Sequence, residues 1–227
     1  MIYNEIIYMV LDKLKVSSDD SYFTPDHIKF LLNKYRSFLL KQRYSDIRKE
    51  IPESNYQNLC LDLEKMHVIT EDSCGNLPYL KSVKPIPITM KIGVPKIYPI
   101  DYYKGEITFI DRERMKYIGY NKYLNNIIYC SQHPDNCLYF KSSNPQFLHL
   151  EQVNFNAIFE DPELAISLAC EKENTPCDIF LKTFPIEESL VAPLIELVVN
   201  KLRELIFTPK DEHNDAHDDI GTMTTGK

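Results

Sequence analysis

The stretch TPDHIKFLLNKYRSFLLKQR, Thr24 to Arg43, decides what kind of fold this chain can have. Thr24 offers a hydroxyl at the N-cap, and Pro25 occupies the first helical position, where a missing N–H costs nothing. Ile28, Leu31, Leu32, Tyr35, Phe38 and Leu39 then recur at spacings of three and four, the stripe of an amphipathic helix from about Pro25 to about Arg43. Upstream, Ile2, Ile6, Met9, Val10 and Leu14, with Lys13 at the edge, repeat that period and predict a helix over 2–15. The polar run from Ser17 to Ser21 ends it. Downstream, Ser54 and Gln57 have the spacing of a capping box, in which each side chain satisfies the other's free backbone donor. With Tyr56, Leu59, Cys60 and Leu63 as its inner face, a third helix is expected from Ser54.

The pattern then changes. Cys74-Gly75-Asn76 reads as a turn, and prolines at 78, 85, 87, 95 and 99 forbid a long helix. Short runs rich in Ile, Val, Tyr, Phe and Thr follow: Thr89–Val94, Glu106–Ile110, Ile127–Ser131, Leu138–Lys141 and Val153–Phe159. Turn residues such as His133-Pro134-Asp135-Asn136 and Ser142-Ser143-Asn144-Pro145 separate them, so the middle segment is expected to be β-rich. Asp161 as cap and Pro162 behind it restart a helix that reaches about Cys170. A last helix is expected from Ile186 to Phe207, apolar on more than one side and therefore needing cover from its own core and from a neighbouring subunit. Pro193 should kink it or mark its true start. From Thr208 to Lys227 the chain is polar, with Asp211, Glu212, Asp215, Asp218 and Asp219, and is expected to be a flexible acidic tail unless bound to a partner. The expected fold class is α+β: an N-terminal helical layer over 1–70, a β-rich region over 74–159, C-terminal helices over 160–207 and the tail over 208–227.

Composition bounds the function. The chain has 227 residues, 44% hydrophobic and 26% charged, enough for a real core under an ordinary folded surface. No run approaches the roughly 18 apolar residues that cross a bilayer. The start Met1-Ile2-Tyr3-Asn4-Glu5 lacks a signal peptide's basic and cleavage regions, so the product is expected to stay in the cytoplasm that makes it. Six cysteines are too sparse for a disulfide-stapled secreted domain and read as reduced thiols. A net charge of -7 disfavours non-specific grip on nucleic acid. No two of the six glycines stand within three residues of each other, so no phosphate-cradling loop is available. Neither a nucleophile elbow nor a zinc-protease helix motif occurs. The expectation is a protein that is not an enzyme and carries no cofactor.

Several clusters are candidate sites. Cys130, His133 and Cys137 offer three zinc ligands where a structural site wants four, so incidental cysteines around a hairpin loop are the better reading. Cys170 and Cys177 share that separation and that reading. His213 and His217 sit four apart in a tail with no reason to be helical, and His27 reads as a surface residue. Lys29, Lys34, Arg36, Lys41, Arg43, Arg48 and Lys49 form a basic segment with Asp46 as its one acid. It is read as the solvated face of a helix. The alternative is a small nucleic-acid-binding regulatory protein that uses the Lys29–Lys49 helix on phosphates. The 15 tyrosines and 11 phenylalanines supply residue types that anchor protein interfaces.

Several pieces, in order, resemble a structural-protein family of crAss-like Bacteroidales phages. They are Asn4 to Asp12, Leu31 to Arg36, Ile51 to Gln57, Tyr117 to Lys122, Tyr139 to Pro145, Ile158 to Pro162 and Leu194 to Val199. The resemblance spans nearly the whole chain. It implies a ring protein of the head–tail connector in a short-tailed phage, similar in role to head-completion adaptors. In that role many copies form a ring below the portal protein and carry the channel for genomic DNA onward to the tail. It implies no catalytic residues, and none are assigned.

Overall fold

Helix α2, Pro25–Arg43, begins where its sequence says it should: the Thr24 hydroxyl accepts the His27 N–H at 3.3 Å. Helix α3, Pro162–Glu173, is capped in the same way, with Asp161 Oδ1 accepting from the N–H groups of Glu163 and Leu164 at 3.0 and 3.4 Å. Helices α1, Tyr3–Lys15, and α4, Glu188–Phe207, complete the helical part. The computed structural model describes residues 1–15, 23–46, 48–66, 79–100, 106–118, 123, 127–173 and 178–207. The expected turn at Cys74-Gly75-Asn76 and the acidic tail lie outside them.

The expected third helix is instead a strand. A single 3-10 turn, Glu53–Asn55, gives way to strand β1, Gln57–Met66. Leu59, Leu61 and Leu63 alternate with Cys60, Asp62 and Glu64, a period of two that outweighs one local capping pattern. Gln57 does not close a capping box; its side-chain amide donates to the Pro162 carbonyl at 3.0 Å. Six more strands follow: β2 Tyr79–Ser82, β3 Lys96–Pro99, β4 Glu106–Phe109, β5 Ile127–Gln132, β6 Leu138–Lys141 and β7 Gln152–Ala157. Three of the expected strands therefore stand within a residue of their expected ends, and β7 begins one residue early and stops short of Phe159. Thr89–Val94 is no strand: Thr89 makes an isolated bridge to Phe159, and the chain bends through Gly93 at φ +74°. Pro99 ends β3, an edge strand, where its missing donor is tolerated.

The sheet runs β3-β7-β1-β2-β6-β5-β4. All pairs are antiparallel except β4 with β5. Strand β1 joins its halves, with Gln57 to Asp62 laddered to β7 and Leu63 to Met66 laddered to β2. The end strands β3 and β4 come back into contact, so the sheet curls towards a barrel. Its inside is filled by alternating residues such as Leu59, Ile97, Ile128, Phe140 and Phe155.

A second core lies between the helices. Tyr3, Ile6, Ile7, Val10 and Leu14 of α1 and Ile28, Leu31, Leu32, Leu39 and Leu40 of α2 pack on Leu190, Leu194, Ile195, Val198 and Leu202 of α4. The apolar breadth of α4 is therefore covered on both flanks by its own chain, and no neighbouring subunit is needed to bury it. Helix α4 starts at Glu188 and runs through Pro193, which sits on its exposed side, so Pro193 does not mark the start. Two residues read as inward-facing are not: Met9 is exposed on α1 and Phe38 is 54% exposed on α2.

The place expected for Phe38 in the α2 core goes to Arg36. It is completely buried, and its guanidinium donates to three carbonyls from three segments. Nε reaches Pro185 at 2.6 Å, Nη1 reaches Phe159 at 2.9 Å and Nη2 reaches Asn55 at 3.3 Å. Burial pulls its pKa down to about 10, which leaves it cationic at neutral pH. The same junction holds Glu187, whose carboxylate accepts from the Tyr44 and Ser189 hydroxyls and whose N–H donates to Asn55 Oδ1 at 2.9 Å. Arg36→Met leaves three buried carbonyls without donors and should cost about 3 kcal/mol or more. In urea unfolding the midpoint should drop with the slope unchanged.

Candidate interaction surfaces

The structure spends most of the basic segment internally. Arg36 is the junction just described. Lys29 Nζ lies 2.8 Å from Glu163 and 3.4 Å from Asp26, and sits over the Phe180 ring at 5.0 Å. Burial draws its pKa down, but the two carboxylates outweigh that and it is raised. Lys41 pairs with Glu160 at 3.0 Å, Arg43 lies 3.8 Å from Glu187, and Lys49 donates to the Arg43 carbonyl at 2.9 Å. Lys34 and Arg48 are exposed and make no ion pair among the described residues. Arg36 and Lys29 are thereby withdrawn from solvent, while Lys41 and Arg43 keep more than half of their side chains exposed. The signal that separates Arg36 from the others is its phase: it falls on the four-residue row Ile28, Leu32, Leu40, all buried.

The cysteine and histidine candidates do not come together as a ligand set. Cys130, Cys137 and Cys60 are free thiols, the first two buried. Burial pushes the Cys130 thiol well above its usual range, which keeps it protonated. Cys170 is disulfide-bonded, which corrects the expectation that all six cysteines are reduced. Cys74, Cys177, His213 and His217 lie outside the described residues, and His27 is exposed, stacked on Phe23 at 6.3 Å. Among the described residues no three His, Cys, Asp or Glu side chains are grouped to hold a metal ion. His133 instead stacks on Tyr139 at 4.1 Å in the β5–β6 hairpin, where Asp135 accepts from the Cys137 N–H and the Tyr139 hydroxyl and pairs with Lys81 at 3.2 Å. Asn136 takes the left-handed conformation that turns the loop, at φ 59°.

A groove of about 1020 Å³ opens between the end of α2 and the loop carrying Gly93. Lys41, Lys49, Lys91 and Lys96 line it together with Asp46, Glu50 and Glu53, so its charge is mixed. A side chain at Gly93 would meet the Tyr56 hydroxyl at 2.8 Å and Ile51 at 2.9 Å.

Large apolar side chains stand in solvent on two sides. On the barrel side these include Ile88, Val94 and Tyr98, with Tyr117 at 76% and Tyr123 at 84% exposed. On the helical side Phe30 and Phe38 of α2 are 61% and 54% exposed, with the exposed Lys34 between them. The helical period places these three opposite the buried row of Leu32 and Arg36. Residue type alone does not single these side chains out, since phenylalanine also fills both cores and tyrosine the helical one.

The family model described as phage tail ring protein 2 matches residues 5–220. The chain belongs to that family. Among curated proteins, Ring protein 2 of Bacteroides phage crAss001 is 62% identical over 221 residues, covering 97% of this chain and 98% of that protein. Membership in a ring-protein family agrees with the phage structural resemblance read from the sequence. It directs attention to exposed apolar faces rather than to the groove. No helix among the described residues is long and apolar enough to cross a membrane.

The hairpin around His133 gives a pH test. Burial lowers the His133 pKa, Arg112 adds to the effect and Asp135 opposes it. A histidine with a folded pKa below its unfolded value costs stability as pH falls, beginning near the unfolded value of about 6.5. Against burial, hydrogen bonds and Lys81 lower the Asp135 pKa, so its contribution is present at neutral pH and lost only as pH falls through the carboxylate range. Thermal midpoints should fall from pH 7.5 to pH 5.5 in the wild type, and less so in His133→Phe, which keeps the ring stack without the titration.

Proposed function

We propose that this ring-family chain is a structural subunit of a homo-oligomeric ring in the phage head–tail connector. It joins portal to tail, surrounds the DNA channel and is assembled into the virion from the host cytoplasm. The observation that carries this reading is identity to a phage ring protein over nearly the full length of both chains. Its partners are further copies of itself, the portal protein and other connector or tail ring proteins. Genomic DNA passes through without sequence-specific contact. A net charge of -7 suits a channel wall that lets a polyanion slide rather than one that holds it. No catalytic residue, metal or cofactor belongs to this reading.

A stable side-to-side contact needs about 1,000 Å² of buried surface. If half of that is apolar, the gross gain is about 12 kcal/mol at roughly 25 cal/mol per Å², before association costs. The exposed aromatics on both sides of the molecule are the natural source of that area. The acidic stretch after α4 is a second: deleting Lys210 to Lys227 should weaken docking to a neighbour and leave the fold intact. Virion assembly at wild-type yield by the truncated chain would count against that role. For the ring itself, electron micrographs and particle masses of the purified chain, alone and with portal protein, should show closed multimers.

The alternative, a nucleic-acid-binding regulatory protein using Lys29 to Lys49, predicts tight, salt-sensitive binding to duplex DNA. Arg36 and Lys29 are engaged within the fold, while Lys41 and Arg43 are ion-paired but stay more than half exposed, so this reading keeps only part of the basic segment it uses.

A further inference from the structure

We propose that copies of this chain join head to tail by packing the outer face of α2 on the outer face of α4 of the next copy. The proposal rests on the ring reading above and names the two surfaces that make the ring. The α2 face carries Phe30, Lys34 and Phe38, two exposed phenylalanines flanking a cation that has no ion-pair partner among the described residues. The α4 face carries exposed Ala192, Glu196 and Asn200, two small or neutral positions flanking a carboxylate that likewise has no ion-pair partner there.

The two faces match in size, spacing and charge. Phe30 to Phe38 and Ala192 to Asn200 are the same number of residues apart, about 12 Å along each helix at 1.5 Å per residue. When Lys34 meets Glu196 at the centre, each phenylalanine falls on a position where the α4 backbone can be approached closely. This alignment is the same whether the helices cross parallel or antiparallel. Each phenylalanine buries roughly 150 Å² or more when covered, and a single helix seldom leaves two of them opposite its core without a partner. Of the charges beside these faces, Glu188 is exposed next to that of α4 and His27 next to that of α2, while Glu204 pairs with Lys201, Lys41 with Glu160 and Asp26 with Lys29 inside each copy.

The two faces are unlike, so pairing them is heterologous. Each copy then keeps one free α2 face and one free α4 face, and addition continues until the rotation closes a ring. A self-complementary patch would instead stop at a dimer.

The test uses the full-length chain. Mass photometry of the wild type comes first: a chain that stays monomeric across the micromolar range overturns the ring reading and this contact with it. If the wild type forms rings, Phe30→Glu with Phe38→Glu should shift assembly to monomers by at least about tenfold in concentration, with an unchanged circular dichroism melt. Rings that persist in that variant overturn the contact alone. Lys34→Glu should weaken assembly and Glu196→Lys should do the same, while the double swap should restore it; two weakened single variants with no rescue overturn the pairing of these faces. Finally, Lys34→Cys with Glu196→Cys should give a ladder of oxidised multimers on denaturing gels, whereas either cysteine alone should not. A ladder equally strong in the single variants would refute the assignment.

Discussion

The whole arrangement depends on one guanidinium. Arg36 is buried without a carboxylate in direct contact, and it is tolerated because three backbone carbonyls take its N–H groups. Those carbonyls come from the turn before β1, the end of the β7 segment and the lead-in to α4. A planar fork with fixed donor directions cannot be satisfied unless all three segments are in place. Arg36 thus sets where the helical core sits on the curled sheet, and the apolar clusters on either side supply the bulk of the stabilisation. Glu187, Tyr44 and Asn55 extend the same junction into a buried polar network in which the Asn55 Nδ2 has no hydrogen-bond partner among the described residues. The cost of leaving any one member unpaired makes the geometry specific.

That junction explains why the outer faces of α2 and α4 are where they are. With Arg36, Leu32 and Leu40 fixed inward, Phe30, Lys34 and Phe38 have only solvent to meet in the isolated chain. With Leu194, Val198 and Leu202 turned inward, α4 presents its polar side. Which residues α2 and α4 leave outward is therefore dictated by internal packing as much as by their own chemistry.

Much of the fold was legible because local signals and global packing agreed. Caps at Thr24 and Asp161 fixed two helix starts, and β-branched and aromatic runs between turn residues located β4, β5 and β6. The failures have physical causes. At Ser54 a four-residue capping pattern competed with the Leu59, Leu61, Leu63 alternation, and tertiary pairing with β7 settled it. Strands β2 and β3 lie in the proline-rich stretch from Pro78 to Pro99, where the prolines masked them. On α2 the aromatic Phe38 was read as core and the charged Arg36 as surface. Residue type suggested both, and helical phase reverses both. The proposed α2 face was partly hidden by the same misreading, since Phe38, one of its two phenylalanines, was assigned to the interior. Family membership was legible from ordered short segments, whereas which surface meets which neighbour depends on a copy the sequence of one chain does not contain.

Strand β1 has a consequence for the order in which the molecule can be made. It is the first strand in the chain, yet half its ladder is with β7, some ninety residues later, and the helical core beside it waits for α4 at the far end. Both layers are thus built from non-local contacts, which form late and slowly because long loops must close first. During synthesis the greasy sides of α1 and α2 emerge early and can cover only each other until α4 is made. A nascent chain of this kind carries exposed apolar surface until α4 has been made, the condition under which chains clump.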